Sequence, residues 1–202
     1  MRTGVLSVLG ALLVMSTSSL APAQPADPIV TRAPLVCSHG PGGEFFEVRA
    51  TLPATAPTGS VYTVRLDSFP APPVTDRGLN YLHDMVTDYY LPSGASYVPG
   101  SARVVDGTGT ENVRRGARAW AENGYVRLYL PAHIDKGSGF TPPSVEFQVR
   151  VAARPGESLP IRVVRYRVRA NVVVAGNVDV VCKPRDGAYT IGTTVVTPAP
   201  AR

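Results

Sequence analysis

The side chains able to do acid–base or nucleophilic work are few and scattered. His39, His83 and His133 stand singly, with no His-x-His or Cys-x-x-Cys spacing beside them. That pattern offers no zinc site, and the expectation is a chain without metal or cofactor. There is no Gly-x-Ser-x-Gly elbow and no Ser-x-x-Lys, so no nucleophile is marked. His83 and Asp84 are adjacent, but neighbours on a strand point to opposite faces and should not relay a proton. Asp76, Asp84 and Asp88 cluster in sequence; an acid–base pair needs two carboxylates facing one cleft. Gly40-Pro-Gly-Gly43 lacks the Gly-Lys-Ser/Thr ending of a phosphate loop. Asp106-Gly-Thr-Gly109 and Asp135-Lys-Gly-Ser-Gly139 read as turns. No catalytic residue is assigned. An enzyme would have to assemble a dispersed site from His83, Asp84 or His133.

Two surface patches are better placed to bind than to react. The first is an arginine ladder, Arg165, Arg167 and Arg169, at a spacing of two. On a strand it forms a line about 13 Å long that suits sulfate, phosphate or carboxylate groups along a polymer. Its plainer reading is a solvated face whose arginines pair with acids on the next strand. The second patch comes from a hairpin about Asn123-Gly124, a dipeptide that favours the tight type I′ turn. A two-residue loop pairs Trp120 with Arg127, Arg118 with Tyr129 and Glu122 with Tyr125. The only tryptophan then stands outside among arginines and tyrosines, while Val126, Leu128 and Leu130 face inward. Aromatics with arginines suit a glycan or a protein partner.

The elements that must position these residues are strands. Phe46, Val48, Ala50 and Leu52 alternate with Glu47, Arg49 and Thr51. So do Tyr62, Val64 and Leu66 in one segment, and Val145, Phe147, Val149 and Val151 in another. The stretch from Leu79 to Leu91 fits a helical stripe or alternation; Tyr, Val and Thr in its second half favour a strand. In the long run from Pro160 to Cys182, Tyr166, Val168, Ala170, Val172 and Val174 oppose the arginines. A three-residue loop at Ala175-Gly-Asn177, pairing Val174 with Val178 and Ala170 with Cys182, keeps every apolar residue on one face. Turn signals recur about every ten residues, giving eight or nine strands. The fold class expected is all-β, an antiparallel Ig-like β-sandwich in a single domain with one disulfide.

Met1-Arg-Thr3, the apolar run from Val5 to Val14 and Ala21-Pro-Ala23 read as a signal peptide over 1–23. The chain is then secreted, extracellular or envelope-associated, and not an integral membrane protein after cleavage. Residues 24–34 read as a Pro-rich extended segment, 35–184 as the sandwich, and 185–202 as a flexible tail. Cys37 and Cys182 are the only cysteines, and in an exported chain they most simply pair. The formal charge is +5, and all the basic residues but Lys136 and Lys183 are arginine. That excess is modest, and nucleic acid is not expected as a partner.

The stretch Leu91-Pro-Ser-Gly-Ala-Ser-Tyr-Val-Pro-Gly-Ser-Ala-Arg-Val104 resembles a pattern of bacterial surface and secreted Ig-like repeat domains. There a strand ends in Leu-Pro-x-Gly and Tyr-Val-x-Gly-Ser opens the next. The layout of signal peptide, early Cys, Pro-rich linkers, this motif and late Cys is similar to small secreted actinobacterial β-proteins. The resemblance implies a fold and not a reaction. The functional expectation is a non-catalytic binding module for a cell-surface glycan, an anionic lipid or an extracellular protein. Its candidate ligand-binding residues are Trp120, Arg127, Arg118, Tyr129, Arg165, Arg167 and Arg169. The alternatives are the dispersed His/Asp enzyme and a carrier holding an apolar ligand between its sheets.

Overall fold

The computed structural model describes residues 27–39, 45–71, 73, 75–105 and 116–200. The signal-peptide segment 1–23, Gly40-Pro-Gly-Gly43 and Asp106-Gly-Thr-Gly109 lie outside them. The described residues form thirteen strands: β1 (Ile29–Cys37), β2 (Phe45–Thr51), β3 (Thr55–Pro57), β4 (Val61–Ser68), β5 (Leu79–Tyr90), β6 (Ala95–Tyr97), β7 (Arg103–Val105), β8 (Arg118–Glu122), β9 (Tyr125–Asp135), β10 (Ser144–Val151), β11 (Ser158–Val172), β12 (Gly176–Pro184) and β13 (Tyr189–Thr197). Eight or nine strands fall short of this because β3, β6 and β7 are only three residues long, too short for alternation to register, and because β13 lies in the expected tail.

Two sheets face each other. Sheet A runs β6–β10–β4–β2–β1, with β7 also on β10. Sheet B runs β1–β12–β11–β5–β9–β8, with β13 also on β11. Pairing is antiparallel except where β13 meets β3. The fold is thus an all-β, antiparallel, Ig-like sandwich. β1 belongs to both sheets: Ile29 to Pro34 pair with β2, and Leu35 to Cys37 pair with β12. The disulfide Cys37–Cys182 closes a separation of 145 residues where β1 crosses to sheet B. Chain-entropy arithmetic puts its stabilisation at about 5 kcal/mol.

Period-two alternation builds the core. Val48, Ala50, Val64, Leu66, Val145, Phe147, Val149 and Val151 from sheet A are at most 1% exposed. They meet Val126, Leu128, Leu130, Tyr89 and Val163 from sheet B. Phe46 of β2 packs edge-on to Tyr89 of β5 with ring centres 6.3 Å apart, joining the layers. Burying side chains of this size contributes roughly 1.5–3 kcal/mol each.

Several expectations are corrected. The tail expected over 185–202 contains β13, with Ile191, Thr194 and Val196 buried. Its threonines disguise a strand: Thr194 is inside because its hydroxyl donates to the Pro53 carbonyl at 2.8 Å. The sandwich starts at Ile29, inside the extended segment 24–34 expected to precede it, because Ala33 and Thr31 bury against the core. The β11–β12 loop does have three residues, but it sits two positions earlier. Val172 pairs with Gly176 and Ala170 with Val178, so Cys182 lies opposite Tyr166. The reason is Gly176, which takes the left-handed φ of 68° that ends such a loop. Val174, expected on the dry face, is 98% exposed at the tip. Moving by two keeps the parity, so the apolar face survives.

The Leu91–Val104 segment leaves β5, turns at Gly94, forms β6 and turns again before β7. Gly94 has φ 85°, and a Cβ there would lie 2.8 Å from that of Ala153. Only glycine lets β6 lie so close to the end of β10.

Candidate functional site

The outer face of sheet B gathers both sequence-predicted patches into one surface. The Asn123-Gly124 turn has φ of 51° and 79°, as a type I′ hairpin requires. The β8–β9 register is the expected one: Arg118 opposite Tyr129, Trp120 opposite Arg127, Glu122 opposite Tyr125. β5 then lies between β9 and β11, placing Asp88 opposite both Arg127 and Arg165. A single cross-strand row therefore reads Trp120, Arg127, Asp88, Arg165.

Asp88 is the hub of that row and is 3% exposed. Arg127 donates to it through Nε at 2.7 Å and Nη2 at 3.3 Å. Arg165 donates from the other side through Nε at 2.9 Å and through Nη2. Burial pushes the Asp88 carboxyl up, but hydrogen bonds and charge from Arg127 and Arg165 outweigh it and hold the group below the usual range. Arg127 also donates to Glu122 at 2.8 Å, and the Trp120 indole N–H reaches the same carboxylate at 3.4 Å.

A second node forms where the strand rule fails. Asp84 has φ 53°, and the β5 register shifts there toward β9 and β11. It is a β-bulge, one extra residue that changes the parity of the strand. Tyr81 and His83 face outward before it, and Met85 faces the core after it. This corrects the expectation that His83 and Asp84 point to opposite faces: Asp84 Oδ2 lies 3.0 Å from His83 Nδ1. The Tyr129 hydroxyl donates to Asp84 at 2.8 Å and Arg169 donates to it at 3.3 Å. Burial raises the Asp84 carboxyl, but the Tyr129 hydrogen bond, His83 and Arg169 lower it by more. Arg169 also donates to Asp179 at 3.0 Å.

Of the predicted binding residues, Arg127, Arg165 and Arg169 are thus engaged by carboxylates, as the plainer reading of the ladder expects. The Arg167 side chain has no hydrogen bond or ion pair to another described residue, and Arg167 is exposed. Arg118 is held differently, with its guanidinium 5.4 Å from the Trp120 ring centre and 5.0 Å from that of Tyr129. Sequence reasoning missed the carboxylates Asp84, Asp88, Glu122 and Asp179 as parts of the site. Asp88 carries a faint signal, a charge inside an otherwise apolar and aromatic run.

His133 lies opposite His83, and the Tyr81 ring stacks 4.2 Å from His133. Among the described residues, no group of three or more His, Cys, Asp or Glu converges as a metal ligand set. A pocket of about 330 Å³ lined by Leu91, Ala95, Tyr97, Ala121, Asn123 and Gly124 sits at the β8–β9 turn, beside β6 rather than between the sheets.

No family model and no curated protein matches this chain. Solved structures resemble it distantly. A cohesin module from a Clostridium perfringens family 33 glycoside hydrolase aligns over 84% of this chain and 99% of its own, at 9% identity and TM-score 0.40. A pilus 2b backbone protein of group B streptococcus aligns over 64% of this chain and 55% of its own, at 15% identity and TM-score 0.41. The collagen-binding domain of a Staphylococcus aureus adhesin aligns over 68% and 89%, at 9% identity and TM-score 0.34. At these values the likeness carries nothing about partner or activity.

Proposed function

We propose that this protein is an exported, non-catalytic β-sandwich that serves as an extracellular or cell-envelope binding module, with the outer face of sheet B as its recognition surface. One observation carries the reading. Asp88, buried beneath Arg127 and Arg165, ties β9, β5 and β11 into one layer, and that layer holds the β8–β9 hairpin with Trp120 on an open face. A face fixed in advance loses little entropy on binding. The Cys37–Cys182 disulfide supports an oxidising compartment, and the leader-like 1–23 segment supports export.

The test is co-sedimentation of the oxidised protein with isolated cell envelopes of its source. Binding is expected, with a loss of at least tenfold in Trp120→Ala while its unfolding transition stays in place. Equal binding by Trp120→Ala, or none by the unaltered protein, overturns the reading.

Catalysis at His83 draws on a specific observation, since Asp84 orients its Nδ1 as a carboxylate orients a general base. Yet Asp84 is shared with Tyr129 and Arg169, and His83 Nε2 lies 3.4 Å from Asn177 Oδ1. Both ends of the ring therefore face the protein's own groups. His83→Gln is expected to leave envelope binding unchanged.

A further inference from the structure

We propose that Arg118 and Arg167 are two oxyanion-binding points of the sheet B face, and that its occupant is an acidic polysaccharide carrying carboxylates along an extended chain. The proposal rests on the recognition-face reading and names its ligand class. Its basis is how the arginines of the β11 ladder and the β8–β9 hairpin are held. Arg127, Arg165 and Arg169 donate to Asp88, Glu122, Asp84 and Asp179. Those donors are engaged, and the acids around them are answered. Arg118 is ordered by a different force, since its guanidinium lies over two aromatic rings, Trp120 and Tyr129. A ring face attracts a cation without taking its N–H donors. Arg118 has no hydrogen bond to a carboxylate among the described residues. It is therefore positioned and still open, which is what bidentate capture of a planar carboxylate requires.

Arg167 lies on the same cross-strand row. Arg118 is opposite Tyr129, Tyr129 opposite Val86, and Val86 opposite Arg167. Three strand spacings separate the two arginines, about 14 Å between backbones. Between them lie Val86, only 5% exposed, and Tyr129, whose hydroxyl caps Asp84 beside the row while Arg169 answers its charge, so the row itself holds no carboxylate. A ligand with acidic groups at intervals, crossing the strands, meets both points. A bilayer would instead need apolar side chains standing proud of this row, where Val86 is buried. A protein partner would look for an apolar anchor pocket at its centre, where this face has an ion network.

The experiment is calorimetric titration of the oxidised protein with oligogalacturonate, against dextran, polyphosphate and phosphatidylglycerol vesicles. Oligogalacturonate is expected to bind and to weaken with added salt, and dextran not to bind. Arg118→Gln and Arg167→Gln should each weaken binding about tenfold, from the loss of one charged hydrogen-bonding contact. Arg118→Lys, which keeps the charge and loses the fork, should weaken it nearly as much. Thermal unfolding checks that each variant keeps its fold. Binding that ignores Arg118→Gln overturns the proposal, and so does full binding by Arg118→Lys, which would mean charge alone. Equal or tighter binding of polyphosphate or vesicles transfers the surface to phosphate or lipid and overturns the polysaccharide. No binding of oligogalacturonate, with envelope binding still sensitive to Trp120→Ala, overturns the ligand class and leaves the recognition face standing.

Discussion

On the outer face of sheet A, Arg65 donates to Asp67 and Arg103 to Glu146, with arginine side chains 38% and 67% exposed. On the outer face of sheet B, Asp88 lies at 4% side-chain exposure beneath two arginines from opposite strands. Both faces set Arg against Asp and Glu across a ladder. The first keeps its arginines in water over half-buried acids, and such pairs contribute little. The second makes a linked layer whose central acid has left water and depends on its partners. Even the cation–π contacts differ. Arg32 lies 3.9 Å from the Phe45 ring centre but stands opposite Glu47 in the ladder. Arg118 sits between two rings with no acid opposite. Burial separates a solvated face from a preorganised one; the kinds of residue do not.

The largest effect that follows concerns the hub. Asp88→Ala leaves Arg127 with Glu122 alone and Arg165 without its carboxylate, and is expected to cost about 2 kcal/mol in denaturant unfolding from the lost charged hydrogen bonds. Asp67→Ala on sheet A is expected to cost less than about 1 kcal/mol. Similar losses at the two sites would erase the contrast. The bulge comes next. Asp84→Ala loses its hydrogen bonds and keeps a left-handed backbone, so Asp84→Gly should be the more stable of the two by about 1 kcal/mol. If Ala is as stable as Gly there, position 84 is not held at positive φ.

Acid is a gentler probe of the same contrast. The folded pKa of Asp88 lies below its ordinary 3.8. Its stabilisation is therefore present in full above 3.8 and is lost as pH falls through the lower folded value. Unfolding followed against pH should show that loss in the unaltered protein and a reduced one in Asp88→Asn. A slope unchanged by the substitution would place the acid sensitivity elsewhere. Salt should act least. Raising NaCl to about 1 M screens the exposed pairs of sheet A more than the sheet B hub, so an Arg127–Asp88 double-mutant cycle should keep most of its coupling. A coupling that vanishes in salt would make the hub an ordinary surface pair.

Much of this architecture is legible in the sequence. Strict alternation marks β2, β4 and β10, and Asn123-Gly124 fixes the β8–β9 register residue for residue. What is hidden has identifiable causes. The β13 strand is disguised by its threonines, of which Thr194 is buried because its hydroxyl finds the Pro53 carbonyl in the folded state. The bulge at Asp84 breaks the period of two, and nothing local to an aspartate announces a left-handed backbone. That single residue hides the Asp84 contacts with His83, Tyr129 and Arg169. Asp88 is hidden for another reason, because its partners lie 39 and 77 residues away. A hairpin states its own register, whereas the neighbours of a central strand are settled by the whole sheet.

Removing equal charge from each face separates a recognition surface on sheet B from attraction by net charge. Arg118→Gln with Arg167→Gln takes two arginines from sheet B. Arg32→Gln with Arg150→Gln takes two from sheet A, including one held over an aromatic ring. Envelope co-sedimentation of the two variants, matched for unfolding temperature, should fall at least tenfold for the sheet B pair and stay at the unaltered level for the sheet A pair. An equal fall in both would mean attraction by net charge alone, and would contradict a recognition surface on sheet B.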